Sequence, residues 1–160
     1  MQDGGSPRSD GTPVAIRAAC AMDLSAVRRI EQGSFADPWG AAEFRSVLES
    51  PHTIFLVAVS HPDEAVIGYA IGLTVLDESE ILNIAVDPES RQRGVGGRLL
   101  DATIAEARGR GAVAAFLEVR ESNSAARELY RSRGFESLSR RRDYYRAPVE
   151  DALVLRLAMQ

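Results

Sequence analysis

Arg91 and Arg93 precede Gly94, Gly96 and Gly97 in residues 84–97, which read IAVDPESRQRGVGG, and Arg98 follows directly. The order is an apolar strand, a Pro-containing turn, then a glycine-rich basic loop that opens a helix. Glycine lets backbone approach a ligand without a Cβ clash, and the N-terminus of a helix carries about half a positive charge. Free backbone N–H groups there, with flanking guanidinium groups, suit an oxyanion, and a phosphate or pyrophosphate fits best. Taken alone, such a loop also reads as a surface turn rich in solvated arginine. Two further residues have the right type for proton transfer. Glu118 lies in the alternating run AAFLEVR, on the same side as Phe116 and Arg120. A carboxylate in an apolar strand is costly to bury unless paired or hydrated, and burial moves it toward the range of a general base. The plainer alternative is a strand-end carboxylate paired with an arginine. Tyr130, within ELYRSRGF, carries a phenol that stays protonated at neutral pH and can donate to a departing anion. The competing reading is an aromatic that packs on the core at helical spacing.

The elements that must position these groups follow from periodicity and turn signals. Residues 14–17 alternate as a short strand. Asp23 reads as an N-cap for a helix to about Gln32, with Leu24, Val27 and Ile30 on one face, Gly33 as its stop and Met22 stapled onto Val27. Asp37-Pro38 repeats the cap-then-Pro signature for a second helix bearing Phe44, Val47 and Leu48, ended by Pro51. Strands over 53–59, 66–76 and 80–86 form an antiparallel meander. A helix over 94–108 places Leu100, Ile104 and Ala107 on one stripe and stops at Gly111. A strand over 114–119 and a helix over 124–133 follow, the latter closed by Gly134. Residues 135–139 and 152–157 complete the sheet as a closing pair. The expected order is β-α-α-β-β-β-α-β-α-β-β. This is an α/β (α+β) fold with a single mixed, mostly antiparallel sheet flanked by helices.

At 160 residues, 45% hydrophobic and 26% charged, the chain fits one domain with a real core. Residues 1–12 are rich in Gly, Ser, Asp and Pro and read as a tail, leaving 13–160 as the domain. No apolar run is long enough to span a bilayer, and the start lacks a secretory pattern, so the expected location is cytoplasmic, away from membranes. The single Cys20 excludes an internal disulfide, and no histidine motif accompanies it to make a nucleophile. His52 and His61 each sit beside a proline in turns, and no metal site is expected. All 19 basic residues are arginine, against 23 acids, for a net charge of −4. That balance argues against general nucleic-acid binding and suits a basic protein partner. Arg140, Arg141 and Arg142 read as solvated charges in a loop rather than an RNA contact.

The loop Arg91-Gln92-Arg93-Gly94-Val95-Gly96, the segment LEVRESN at 117–123, Tyr130 and Gly134-Phe135 together resemble the GNAT acetyltransferases, and within them the RimI family. The resemblance covers residues 14–157 and the whole element order. It implies acetyl-CoA as cosubstrate and no metal. Arg91, Gln92, Arg93, Gly94, Val95, Gly96, Gly97 and Arg98 would then hold the pyrophosphate. The backbone of Ile84, Ala85 and Val86 would pair with the pantetheine arm as an added strand. Asn123 would hydrogen-bond that arm, cap the following helix, or do both. Glu118 becomes the general base and Tyr130 the general acid of a direct transfer without a covalent intermediate. Phe35 and Trp39, the acidic start of the fourth strand at Glu78 and Glu80 beside Leu82, and Tyr144 with Tyr145 between the last two strands would frame the acceptor. That acceptor would be a protein N-terminus, the N-terminal alanine of a small-subunit ribosomal protein. Alternatives are a broader N-terminal, lysine or small-amine acetyltransferase, or a noncatalytic acyl-CoA-binding protein.

Overall fold

Ile54, Val57, Tyr69 and Ile71 are almost wholly buried, because the strands that carry them are covered on both faces. The computed structural model describes residues 13–159; the expected tail at 1–12 lies outside them. The strands are β1 (Val14–Ala18), β2 (Thr53–Ser60), β3 (Ala65–Val75), β4 (Glu78–Val86), β5 (Ala114–Arg120), β6 (Glu136–Arg146) and β7 (Val149–Ala158). The helices are α1 (Leu24–Ser34), α2 (Ala41–Glu49), α3 (Val95–Gly109) and α4 (Ser124–Ser132), with short 3-10 turns at Ala21–Asp23 and Pro88–Ser90. One sheet runs β1-β2-β3-β4-β5-β7-β6. Its β4–β5 pair is parallel and the others are antiparallel. The expected element order and mixed sheet are both present.

Alternation along β2 distributes the core. Phe55, Val57 and Val59 join Val27, Ile30 and Phe44 of α1 and α2 on one face. Ile54 faces α3 with Leu100, Ile104 and Ala107, together with Leu117 and Val119 of β5. Each such aliphatic or aromatic side chain contributes about 1.5–3 kcal/mol by leaving water. The stripe expected on α3 is therefore the one that packs.

The sheet is not closed throughout. Ile71 of β3 pairs with Asn83, and the next residue, Gly72, pairs with Ile81, so Leu82 is an extra residue in β4. The ladder between β4 and β5 covers only Glu78 to Ile81 against Ala114 to Leu117. It ends where the bulge begins. A bulge bends its strand and increases the local twist, which carries β4 away from β5. Among the described residues no strand pairs with the edge of β4 over 82–86 on that side, and β5 continues alone beside β7.

Four local expectations are corrected. The Asp23 carboxylate does not cap α1; it accepts from the Arg17 guanidinium at 2.7 and 2.9 Å and from the Cys20 N–H at 2.8 Å. Met22 is 91% exposed and staples nothing. α1 continues through Gly33 to Ser34, and α2 starts at Ala41 behind Gly40, leaving Asp37-Pro38 in the connection. The closing pair is a long hairpin, so Arg140, Arg141, Arg142, Tyr144 and Tyr145 stand within β6 rather than in a loop. The polar composition of β6 hides it, because an exposed edge strand needs no apolar alternation.

The Arg17 hydrogen bonds hold the Asp23 carboxyl below the usual aspartate range. A carboxyl lowered in the folded state stabilises the fold above its unfolded pKa, and that contribution fades as pH falls through the folded value. Arg17 is partly solvated, which screens the pair. Asp23→Asn should cost about 1–2 kcal/mol at pH 7, measured by urea unfolding. The gap from wild type should shrink below about pH 4.

Candidate active site

Gln92 at φ 64° and Gly94 at φ 77° turn the chain twice through the left-handed region between β4 and α3. At Gly94 only glycine avoids strain, which accounts for its place before the helix. The first helical bond runs from the Arg98 N–H to the Gly94 carbonyl at 3.1 Å. The N–H groups of Val95, Gly96 and Gly97 therefore stand at the open end of α3, beside the open edge of β4. Arg91 fastens this loop: its Nε donates to the Val86 carbonyl at 3.0 Å and its Nη2 to Ser34 Oγ at 3.3 Å. Arg93 is exposed at the tip. Two of the expected cradle residues also make structural contacts. Arg98 donates to the Val14 carbonyl at 2.7 Å and ties α3 to β1. A Cβ at Gly97 would run into the Arg133 guanidinium, which pairs with Asp101 at 3.1 Å. Asn123 caps α4, its Oδ1 accepting from the Ala126 N–H at 3.1 Å.

Leu117 and Val119 face α3, so Glu118 projects from the opposite face of β5, the side of α1 and α2. There it meets β6. Arg141 Nε lies 3.1 Å from Glu118 Oε1, so the carboxylate is arginine-paired, with a partner from another strand. The Tyr144 hydroxyl also donates to Glu118, and that bond to the carboxylate is the main reason the Tyr144 phenol is raised. Tyr144 stands edge-on to Tyr145 with centroids 5.1 Å apart, and the Arg120 guanidinium lies 4.2 Å over the Tyr145 ring. Burial, then the Glu118 charge, pushes Tyr145 up to about 12. Glu80 is raised by burial and then by Glu118. A cavity of about 610 Å³ opens here, lined by Leu76, Glu78, Glu80, Phe116, Glu118 and Arg141 among others.

Tyr130 of α4 packs on the α3-side core, 5.7 Å from Phe135. Burial, and then the neighbouring Tyr145, pushes it up to about 12. Its phenol is thus in the neutral, donating form across physiological pH. The structure therefore gathers Glu118, Tyr144, Tyr145 and Glu80 into one cluster, with Tyr130 within electrostatic reach of Tyr145. Leu82 and Trp39 share the α1–α2 core cluster, whereas Phe35 is exposed. Among the described residues no group of His, Cys, Asp and Glu is arranged to hold a metal, and no helix is long and apolar enough to cross a membrane.

One group in this region escaped the sequence reading. Glu31, 1% exposed, accepts from the Tyr69 hydroxyl, from the Trp39 N–H at 3.1 Å and from the Asn83 amide at 3.2 and 3.3 Å. Burial pushes its carboxyl up, and the Trp39 and Asn83 donors oppose that shift. A signal was present: Glu31 follows Val27 and Ile30 on the apolar stripe of α1, where an acid is out of place.

Residues 24–135 match the model of the acetyltransferase (GNAT) family. The chain belongs to that family. As a GNAT acetyltransferase it is 40% identical over 137 residues to the [ribosomal protein bS18]-alanine N-acetyltransferase of Salmonella typhimurium, covering 84% of this chain and 90% of that one. It is also 40% identical to the N-alpha-acetyltransferase RimI of Mycobacterium tuberculosis, over 92% of this chain and 94% of that protein. The crystal structure of the ribosomal-protein-S18-alanine N-acetyltransferase from Escherichia coli superposes with a TM-score of 0.84 at 35% identity, covering 92% and 95% of the two chains.

The GNAT cluster around Glu118 can be read from its tyrosines. Glu118→Gln removes the negative charge and weakens the acceptor that holds the Tyr144 proton. The Tyr144 phenol should then titrate nearer 10, with a smaller fall at Tyr145, whose shift is mainly burial. Phenolate absorbance in an alkaline titration of both proteins reads the difference, and superimposable curves would contradict it.

Proposed function

We propose that this enzyme transfers the acetyl group of acetyl-CoA to the α-amine of a protein N-terminus, with the N-terminal alanine of a small-subunit ribosomal protein as its acceptor. The observation that carries the reading is the open edge of β4, ending in a left-handed Gly94 loop at the start of α3, with Glu118 across the wedge. An extended amide-bearing arm can add to such an edge as a strand does, and a pyrophosphate fits the N–H groups of Val95, Gly96 and Gly97. The relatives named above, at 40% identity, support the acceptor class. The reaction then takes place in the cytoplasm, where ribosomal proteins are made.

In this mechanism Glu118 accepts a proton from the acceptor ammonium through water. An α-amino group has a pKa near 8, so the base has a modest task. The neutral nitrogen attacks the thioester carbonyl, a C–N bond forms and the C–S bond breaks. Backbone N–H groups of residues 84–86 face the carbonyl oxygen as charge develops on it. Tyr130 donates first a hydrogen bond and then its proton to the departing sulfur, and the second proton that the nitrogen loses as the amide forms restores the phenol through water. Tyr144 and Tyr145 wall the slot through which the peptide reaches Glu118.

Glu118→Gln should lower kcat by about 10²-fold or more with acetyl-CoA binding near wild type. Undiminished turnover would remove Glu118 from the mechanism. Tyr130→Phe should reduce kcat by about tenfold or more while leaving both KM values close to wild type. Acetyl transfer to peptides varied at their first three residues, with an N-terminally blocked lysine peptide alongside, tests the acceptor. Preference for alanine-first peptides supports the ribosomal reading, and broad activity on free N-termini replaces it with a general one. Activity confined to the blocked peptide moves the acceptor to lysine. Silence throughout favours a noncatalytic acyl-CoA-binding protein.

A further inference from the structure

We infer that Glu31 is a positioning residue for the acceptor, lashing the α1–α2 connection to β4 at the bulge. The inference rests on the reading that Phe35 and Trp39, in the α1–α2 connection, frame the acceptor. Glu31 sits in the last turn of α1, where the helix dipole disfavours a negative charge, and it is almost fully buried. A side chain there for packing alone would be apolar. Instead, its two oxygens collect donors from three separate elements: the Trp39 N–H of the α1–α2 connection, the Tyr69 hydroxyl of β3 and the Asn83 amide of β4.

The placement of those donors gives the carboxylate its effect. Asn83 directly follows Leu82, the extra residue at which β4 leaves β5, and precedes Ile84 on the open edge. Trp39 closes the connection, and its ring lies 5.5 Å from Phe44 and in the same cluster as Leu82. Residues 35–38 are exposed, and Asp37-Pro38 caps no helix. One carboxylate therefore sets the distance between this connection and the point where the wedge opens, on the face from which Glu118 projects. Arg91 adds a second tether, from the glycine loop to Ser34 at the end of the same helix. Without the Glu31 tether the connection can swing while α3 and its N-terminal loop stay in place. Misplacement of a substrate frame by about an ångström is enough to cost one to two orders of magnitude.

Glu31→Gln puts an amide donor among donors and breaks part of the set. The expected result is a rise of about tenfold or more in KM for the acceptor peptide, with KM for acetyl-CoA within about twofold and kcat within about threefold. Amide hydrogen exchange should quicken in residues 35–40 and remain unchanged in α3. Should Glu31→Gln fail to fold, Tyr69→Phe removes one donor, keeps the carboxylate and should show the same split with a rise of about threefold. A parallel rise of both KM values, or unchanged exchange in residues 35–40, overturns the inference. A wild-type enzyme silent on every peptide would sink the proposed function instead, and the exchange measurement would still decide whether Glu31 is the tether.

Discussion

A single extra residue in a strand shapes everything this chain does. Leu82 interrupts the β3–β4 register, and the parallel ladder between β4 and β5 stops after four pairs. Had the ladder continued, residues 82–86 would have spent their amide and carbonyl groups on β5, and the sheet would be a closed wall. Because it stops, a stretch of backbone held rigid on one side by β3 presents unused hydrogen-bonding groups on the other. The rest of the fold keeps that gap open. α3 and its glycine loop sit at one end of it, β5 and the β6–β7 hairpin form its far wall, and α1 and α2 brace the near side.

The charge arrangement around the gap follows from the same geometry. Glu118 comes from β5 and Glu80 from β4, so the splayed strands bring two carboxylates to one face. They would repel without compensation, and Arg141 supplies it from β6. Both tyrosines on that strand are raised in part by Glu118, and Tyr144 also raises Tyr145. A single carboxylate thus couples three strands electrostatically. The paired acid and the neutral phenol of Tyr130 are held apart by the sheet itself, which suits a reaction that moves one proton in and another out.

The sequence revealed the helices, the meander and the loop because each announces itself locally. Gly94 marks a left-handed residue, Gly134 ends α4 at φ 92°, and Leu100, Ile104 and Ala107 share a stripe. The features that failed were those decided by a distant partner. Asp23 carries the signature of a helix cap, yet Arg17 on β1 claims its carboxylate. Asp37-Pro38 looks like a helix start, but Trp39 is held by Glu31 and the helix begins later. The bulge at Leu82 is invisible without the register of β3. The partner of Glu118 was equally hidden, because Arg141 lies 23 positions along the chain in a strand that looked like loop.

β6 has a further consequence as the last strand of the sheet. It bonds to β7 on one side only, is exposed along nearly its whole length, and its pairing is irregular at Ser137/Ser139 and Arg141/Tyr145. An unpaired edge of 11 residues is ordinarily a template for another chain to stack on. Here three consecutive arginines, Asp143 at φ 50° and two breaks in register disrupt the flat, neutral surface that stacking needs. Arg141, which pairs with Glu118, thereby also belongs to the charged edge that opposes edge-to-edge aggregation.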